Sequence, residues 1–162
     1  MRNLITIAIG LLVVLTGGCA RLMRGESQNV KFVTEPPGAT VSVGGSELTT
    51  PAEVKLKRKD KHEVTVSKTG YRTVKFELVA QWDGASLGNA ILPGGSVGFA
   101  TDTVTGADRS FRKLSTIKLQ AVTDANTPPL TLIYYRGDLY TEAEYQQVLE
   151  QERKWRESYF EK

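Results

Sequence analysis

One cysteine, one histidine and two methionines stand in 162 residues, and 21 Lys and Arg against 18 Asp and Glu leave a formal net charge of only +3. A lone cysteine has no partner in the chain, so an intramolecular disulfide is excluded. A zinc site would need ligands this chain lacks, there being no second histidine. The glycines at 94–98 are not followed by Lys and Ser/Thr, which removes a phosphate loop. Asp102 and Asp108 are six residues apart with nothing to make their environments differ. His62 stands amid Lys59, Lys61 and Lys68 in what reads as an exposed hairpin, a setting that does not by itself make a general base. No catalytic, metal or cofactor-binding residue emerges, and the expectation is a protein that is not an enzyme. The longest apolar run, near the N-terminus, falls short of the ~20 residues a membrane-spanning helix needs.

What is present begins with that run. Arg2 and the amino terminus precede Leu4–Leu15, a mostly apolar stretch, and then Thr16-Gly17-Gly18-Cys19-Ala20. A positive start, a short apolar segment and small residues before a cleavage point make a secretory signal. Thr16-Gly-Gly-Cys19 resembles the lipobox of bacterial lipoproteins, with Leu15 one place further back than the usual leucine. That resemblance implies cleavage after residue 18 and lipid attachment, including a fatty acyl group such as palmitate, at Cys19. Residues 1–18 are then the signal peptide and 19–28 a tether. Ala20 follows the cysteine with no aspartate beside it, so the expected address is the cell envelope, at the outer membrane facing the periplasm.

From Val30 the hydrophobic period becomes two. Val30 and Phe32, Val41 and Val43, Val54 and Leu56, Val64 and Val66, then Val74, Phe76 and Leu78 alternate with polar residues. Each run is bounded by turn residues: Pro36-Pro37-Gly38, Gly44-Gly45-Ser46, Lys57–Lys61 and Thr69-Gly70. Five short strands, each apolar on one face, predict a mainly β fold, a small antiparallel sandwich or barrel. Thr34-Glu-Pro-Pro-Gly-Ala-Thr-Val-Ser-Val-Gly-Gly45, Thr50-Pro51 and Lys68-Thr-Gly-Tyr71 resemble the PEGA module of bacterial surface and envelope proteins, with Thr49 where the family usually has glycine. The resemblance covers residues 29–79. It implies a structural or adhesive β-module without catalytic residues.

Residues 80–111 form a glycine-rich insert. Its stretch 84–101 carries no charge, and Gly84/Gly88 and Gly94/Gly98 flank Pro93. That spacing allows close backbone approach between packed segments or within lipid. Asn89, Pro93 and the glycines argue against a membrane-spanning helix. A broken pair of short helices, or a loop on the sheet or at the bilayer surface, fits better, with packing on protein favoured.

Alternation returns in 112–122, where Ile117, Leu119 and Ala121 share a face. Residues 123–140 are a Pro-containing connector with a brief β-like run at Thr131–Tyr135 and a turn at Arg136-Gly137-Asp138. Thr141-Glu-Ala-Glu144 is a capping box. It opens an amphipathic helix over 141–162, with Tyr145, Val148, Leu149, Glu152, Trp155 and Tyr159 at helical spacing. Docking of that helix on the β-domain is favoured over a separate partner.

Charge is uneven along the chain: residues 53–75 hold eight bases and three acids, residues 138–162 seven acids and four bases. Lys-rich exposed strands resist edge-to-edge aggregation, and a secreted chain meets no nucleic acid. Two functional classes remain. One is a lipid-anchored scaffold or module binding an envelope protein or glycan. The alternative is a membrane-active accessory lipoprotein whose glycine-rich insert contacts the bilayer.

Overall fold

In the computed structural model, residues 25–82, 106, 108–124 and 126–160 are described. The signal peptide, Cys19 and nearly all of the glycine-rich insert lie outside them. The chain is mainly β, of a sandwich-like class and with no closed barrel. Two compact units divide the described residues, one falling within Met1–Val30, Val54–Lys61 and Val79–Arg112, the other within Lys31–Glu53, His62–Leu78 and Lys113–Lys162.

The second unit is built on the alternating runs. They become β3 (Thr40–Val43), β4 (Ser46–Thr49), β6 (His62–Ser67) and β7 (Val74–Leu78), joined by β11 (Leu130–Tyr135) and β12 (Asp138–Tyr140). These six form an open sheet in the order β12-β11-β7-β6-β3-β4. Register aligns Val41 with Val66, Val43 with Val64, Val64 with Phe76 and Val66 with Val74. Side chains at paired positions share a face, so these six residues make one apolar surface, and each is at most 3% exposed. Ser42, Thr65 and Lys75, on the opposite face, are half-buried.

Two tight turns fix that register. Val43 pairs with Ser46 across Gly44-Gly45, whose φ angles are 58° and 79°. Tyr135 pairs with Asp138 across Arg136-Gly137, at 56° and 106°. Two-residue hairpins favour turns with positive φ at both central positions, because the turn's twist then matches that of the strands. Glycine serves this without strain, and Arg136 is the single described non-glycine residue to adopt it.

The unit departs from the antiparallel expectation in two places, one in this sheet and one in a separate strand pair. β11 runs parallel to β7, pairing Leu130–Ile133 with Val74–Glu77. The two-residue strands β2 (Thr34–Glu35) and β10 (Ile117–Lys118) are also parallel. Parallel neighbours need a long crossover, and the chain between β7 and β11 provides one. The returning strand expected over 112–122 shrinks to Ile117–Lys118. Leu114, Ile117 and Leu119 are buried there, whereas Ala121 is exposed and forms an isolated bridge to Tyr71.

Elsewhere, β1 (Ser27–Phe32) pairs with β5 (Ala52–Lys57), and β8 (Gln81–Trp82) with β9 (Arg109–Ser110). The β8–β9 pair brings together the two ends of the glycine-rich insert, within the first unit. The single described helix, α1 (Glu142–Phe160), follows β12 and has no buried residue.

Candidate functional site

Three polar arrangements on this framework are candidates for a working site. The first joins the proline turns of the second unit. Thr34 and Thr50 are each 3% exposed, and their hydroxyls hydrogen-bond each other. Thr34 Oγ1 donates to the Pro36 carbonyl at 2.8 Å, while Thr50 Oγ1 accepts from the Ala39 amide at 3.0 Å. A hydroxyl has one proton, so Thr50 is the donor within the pair and both groups are satisfied. Lys68 Nζ donates to the Pro37 and Gly38 carbonyls at 2.9 and 3.2 Å. The Pro-Pro-Gly, Thr-Pro and Lys-Thr-Gly-Tyr segments thus meet at one place, where they hold backbone and leave no reactive group.

The second arrangement lies in the first unit. Arg58, 8% exposed, donates to the Gln28 side chain and to the Gly25 carbonyl. The Gln28 amide in turn bonds both backbone groups of Phe111, at 2.9 and 3.0 Å. Asp108 is 3% exposed; its Oδ1 has no hydrogen-bond partner and faces Arg109 Nε at 3.7 Å. Gln28 and Arg58 are engaged by backbone and by each other, which marks a structural node.

The third is the face of α1. Thr141 and Glu144 close the expected capping box, the Glu144 carboxylate accepting from the Thr141 amide at 2.8 Å and the Glu144 amide reaching Thr141 Oγ1 at 3.4 Å. That contact holds the Glu144 carboxyl below its ordinary value. One turn on, Tyr145 meets Tyr135 edge to face, with centroids 5.4 Å apart. Glu152 then bonds Arg136 at 2.7 Å and accepts from the Tyr135 hydroxyl at 3.1 Å. Loss of solvent, followed by that hydrogen bond, pushes the Tyr135 phenol above its usual range, with Arg136 pulling the other way.

Beyond Glu152 the aromatic side chains of the helix are exposed. Trp155 is 65% exposed, Tyr159 66% and Phe160 78%. Trp155 and Tyr159 stack at 5.5 Å and 22°, and Phe160 meets Tyr159 edge-on. An open groove of about 490 Å³ runs between Trp155 and Arg136, lined also by Val148, Gln151 and Glu152. Among the described residues, the ring and polar contacts between the helix and the sheet run from Tyr145 to Glu152.

Of the residues singled out from sequence, Cys19 and Asp102 lie outside the described residues. His62 is not in an exposed hairpin: it opens β6, pairs with Leu78 and is 9% exposed. The reason is register, because His62 falls on the face of Val64 and Val66. Among the described residues no three His, Cys, Asp or Glu side chains converge as metal ligands, and no helix is long and apolar enough to cross a membrane. The Thr34–Thr50 pair and the Gln28–Arg58 node were not legible in advance, since only the fold juxtaposes their members.

Fold and polar arrangements together define a small β-module in which polar side chains brace turns. Residues 27–78 match the model of the PEGA domain family, two residues from the N-terminal boundary expected and one from the C-terminal. Comparison with curated proteins and with solved structures finds no match for the chain.

Proposed function

We propose that this chain is a non-enzymatic, lipid-anchored envelope protein that acts as a scaffold or as a binding module for protein or glycan. The observation that carries the reading is the PEGA-type module at residues 27–78, placed downstream of a lipobox-like segment ending at Cys19. The Thr34 and Thr50 hydroxyls and the Lys68 ammonium brace the backbone of its turns, which suits a rigid spacer or platform. Stable attachment needs more than one acyl chain, and acylation of both the Cys19 thiol and its freed amine supplies them.

Intact mass of the purified protein tests this. The expected product starts at Cys19 with a thioether diacylglycerol and an N-acyl group. A free thiol on a chain that keeps its leader overturns the anchor. Fractionation is expected to place the protein in the outer membrane. Flotation of a Cys19→Ser, leaderless chain with liposomes would instead favour the insert as a bilayer-contacting element.

A further inference from the structure

We propose that the free half of α1 is a binding site for a neutral oligosaccharide, with Trp155 and Tyr159 as the stacking platform. This rests on the binding-module reading and names its ligand class and its place on the chain. The apolar stripe of the helix runs Tyr145, Val148, Glu152, Trp155, Tyr159, a spacing of three and four that keeps one face. Its first half is covered by Tyr135 and Arg136, and its second half continues the same face into solvent.

Size and charge decide what covers that second half. An aromatic side chain buries roughly 150–250 Å² at most, so three rings about two-thirds exposed offer roughly 300–500 Å². A pair of copies meeting here would bury roughly 600–1,000 Å², below the 1,200–2,000 Å² of a stable protein interface. Charge is balanced: over residues 150–157, Glu150, Glu152 and Glu157 face Arg153, Lys154 and Arg156. Arg153 is moreover held between Glu150 and Glu157 at 2.7 and 2.8 Å. Such a surface offers no net attraction to an anionic membrane or to a strongly charged partner.

A sugar ring has the complementary chemistry. Its C–H face is apolar and slightly positive and rests on the negative face of an aromatic ring, while its rim of hydroxyls needs both donors and acceptors. The groove beside Trp155 provides them: Gln151 has an amide with both, Arg136 has N–H groups beyond those facing Glu152, and Glu152 has a carboxylate. A mostly apolar wall with a few convergent polar groups is the general form of a small-ligand site.

The test uses the full-length chain with Trp82→Phe, so that Trp155 is the only indole. Titration with N-acetylglucosamine tetrasaccharide is expected to change Trp155 emission saturably, and the protein is expected to be retained on purified peptidoglycan sacculi. Tyr159→Ala should weaken binding by about tenfold, the scale of one lost aromatic contact. In a chain with Trp82 restored, Trp155→Ala should abolish sacculus retention and Trp155→Phe should keep most of it. Emission unmoved by the saccharide overturns the proposal. So does self-association in sedimentation that Trp155→Ala abolishes, which would assign the stripe to a second copy, and so does a Trp155 shift on phosphatidylcholine vesicles without saccharide. An acylated chain that ignores the saccharide sinks this proposal alone, whereas an unacylated chain that binds it sinks only the anchor.

Discussion

The six-stranded sheet and α1 both carry an apolar stripe at the period their geometry requires, yet the two are held by different means. In the sheet, Val41, Val43, Val64, Val66, Val74 and Phe76 come from three strands, and each is between 0 and 3% exposed. In the helix nothing is buried. Its stability is local: a capping box, acidic residues in the first turn beside the helix's positive end, and ion pairs Arg153–Glu150, Arg153–Glu157 and Lys154–Glu150 along the exposed side. Among the described residues, Tyr145 and Glu152 tie it to Tyr135 and Arg136 through a ring contact, a hydrogen bond and an ion pair. An apolar stripe in sequence therefore promises a partner surface, and where the fold offers none, short-range polar contacts carry the element.

Paired truncations put the sharpest strain on that contrast. Phe76→Ala is expected to cost about 3–5 kcal/mol in chemical denaturation, as for other buried aromatics cut to alanine, enough to unfold a domain of ordinary stability. Trp155→Ala removes a larger side chain and is expected to shift stability by no more than about 0.5 kcal/mol, as at other exposed positions. Equal losses would erase the distinction.

Thr50→Val keeps the shape but strips the acceptor from the buried Ala39 amide and the donor from Thr34. A loss of about 1–3 kcal/mol is expected, and a neutral result would mean the turns need no hydroxyl bridge. Next comes Glu152→Ala, which unties the helix from Arg136 and Tyr135. With Arg136 65% exposed, about 0.2–1 kcal/mol is expected. The more specific readout is ultraviolet titration of tyrosine, in which Tyr135 should move down toward its ordinary value, because the Glu152 hydrogen bond adds to the rise that burial causes.

Acid should act most weakly of all. Glu144 is lowered in the folded chain, so its contribution is present above the ordinary carboxylate range and is lost as pH falls through the lowered value. Helical signal from the first turn should decline at that point in amide chemical shifts, and Glu144→Gln should flatten that decline.

Local rules recover the sheet's inward face, the Gly44-Gly45 and Arg136-Gly137 turns and the Thr141–Glu144 cap, since each depends on residues within a few positions of one another. Long-range pairing escapes them. Ser46-Glu-Leu-Thr49 alternates too weakly to announce β4, and nothing near Leu130 says that it will lie parallel to Val74 across more than fifty residues. His62 was misplaced for a related reason: a cluster of lysines suggested solvent, while strand phase turned the ring inward. The free half of α1 has the same stripe as the docked half, so periodicity alone could not say where coverage stops.

The parallel pairing of β11 with β7 means that the PEGA-type module does not end where its sequence family does. Residues 27–78 stop at β7, and the strand that completes that side of the sheet arrives only at Leu130. A fragment cut at residue 78 would turn an interior strand into a bare edge, with the backbone groups of Val74–Glu77 open to any extended chain. Repeated modules could stack through such an edge. Here the C-terminal tail seals it from within the same molecule, leaving on that flank only the three-residue β12. The strand that arrives last in sequence thus closes, within one molecule, an edge that the family's own span leaves open.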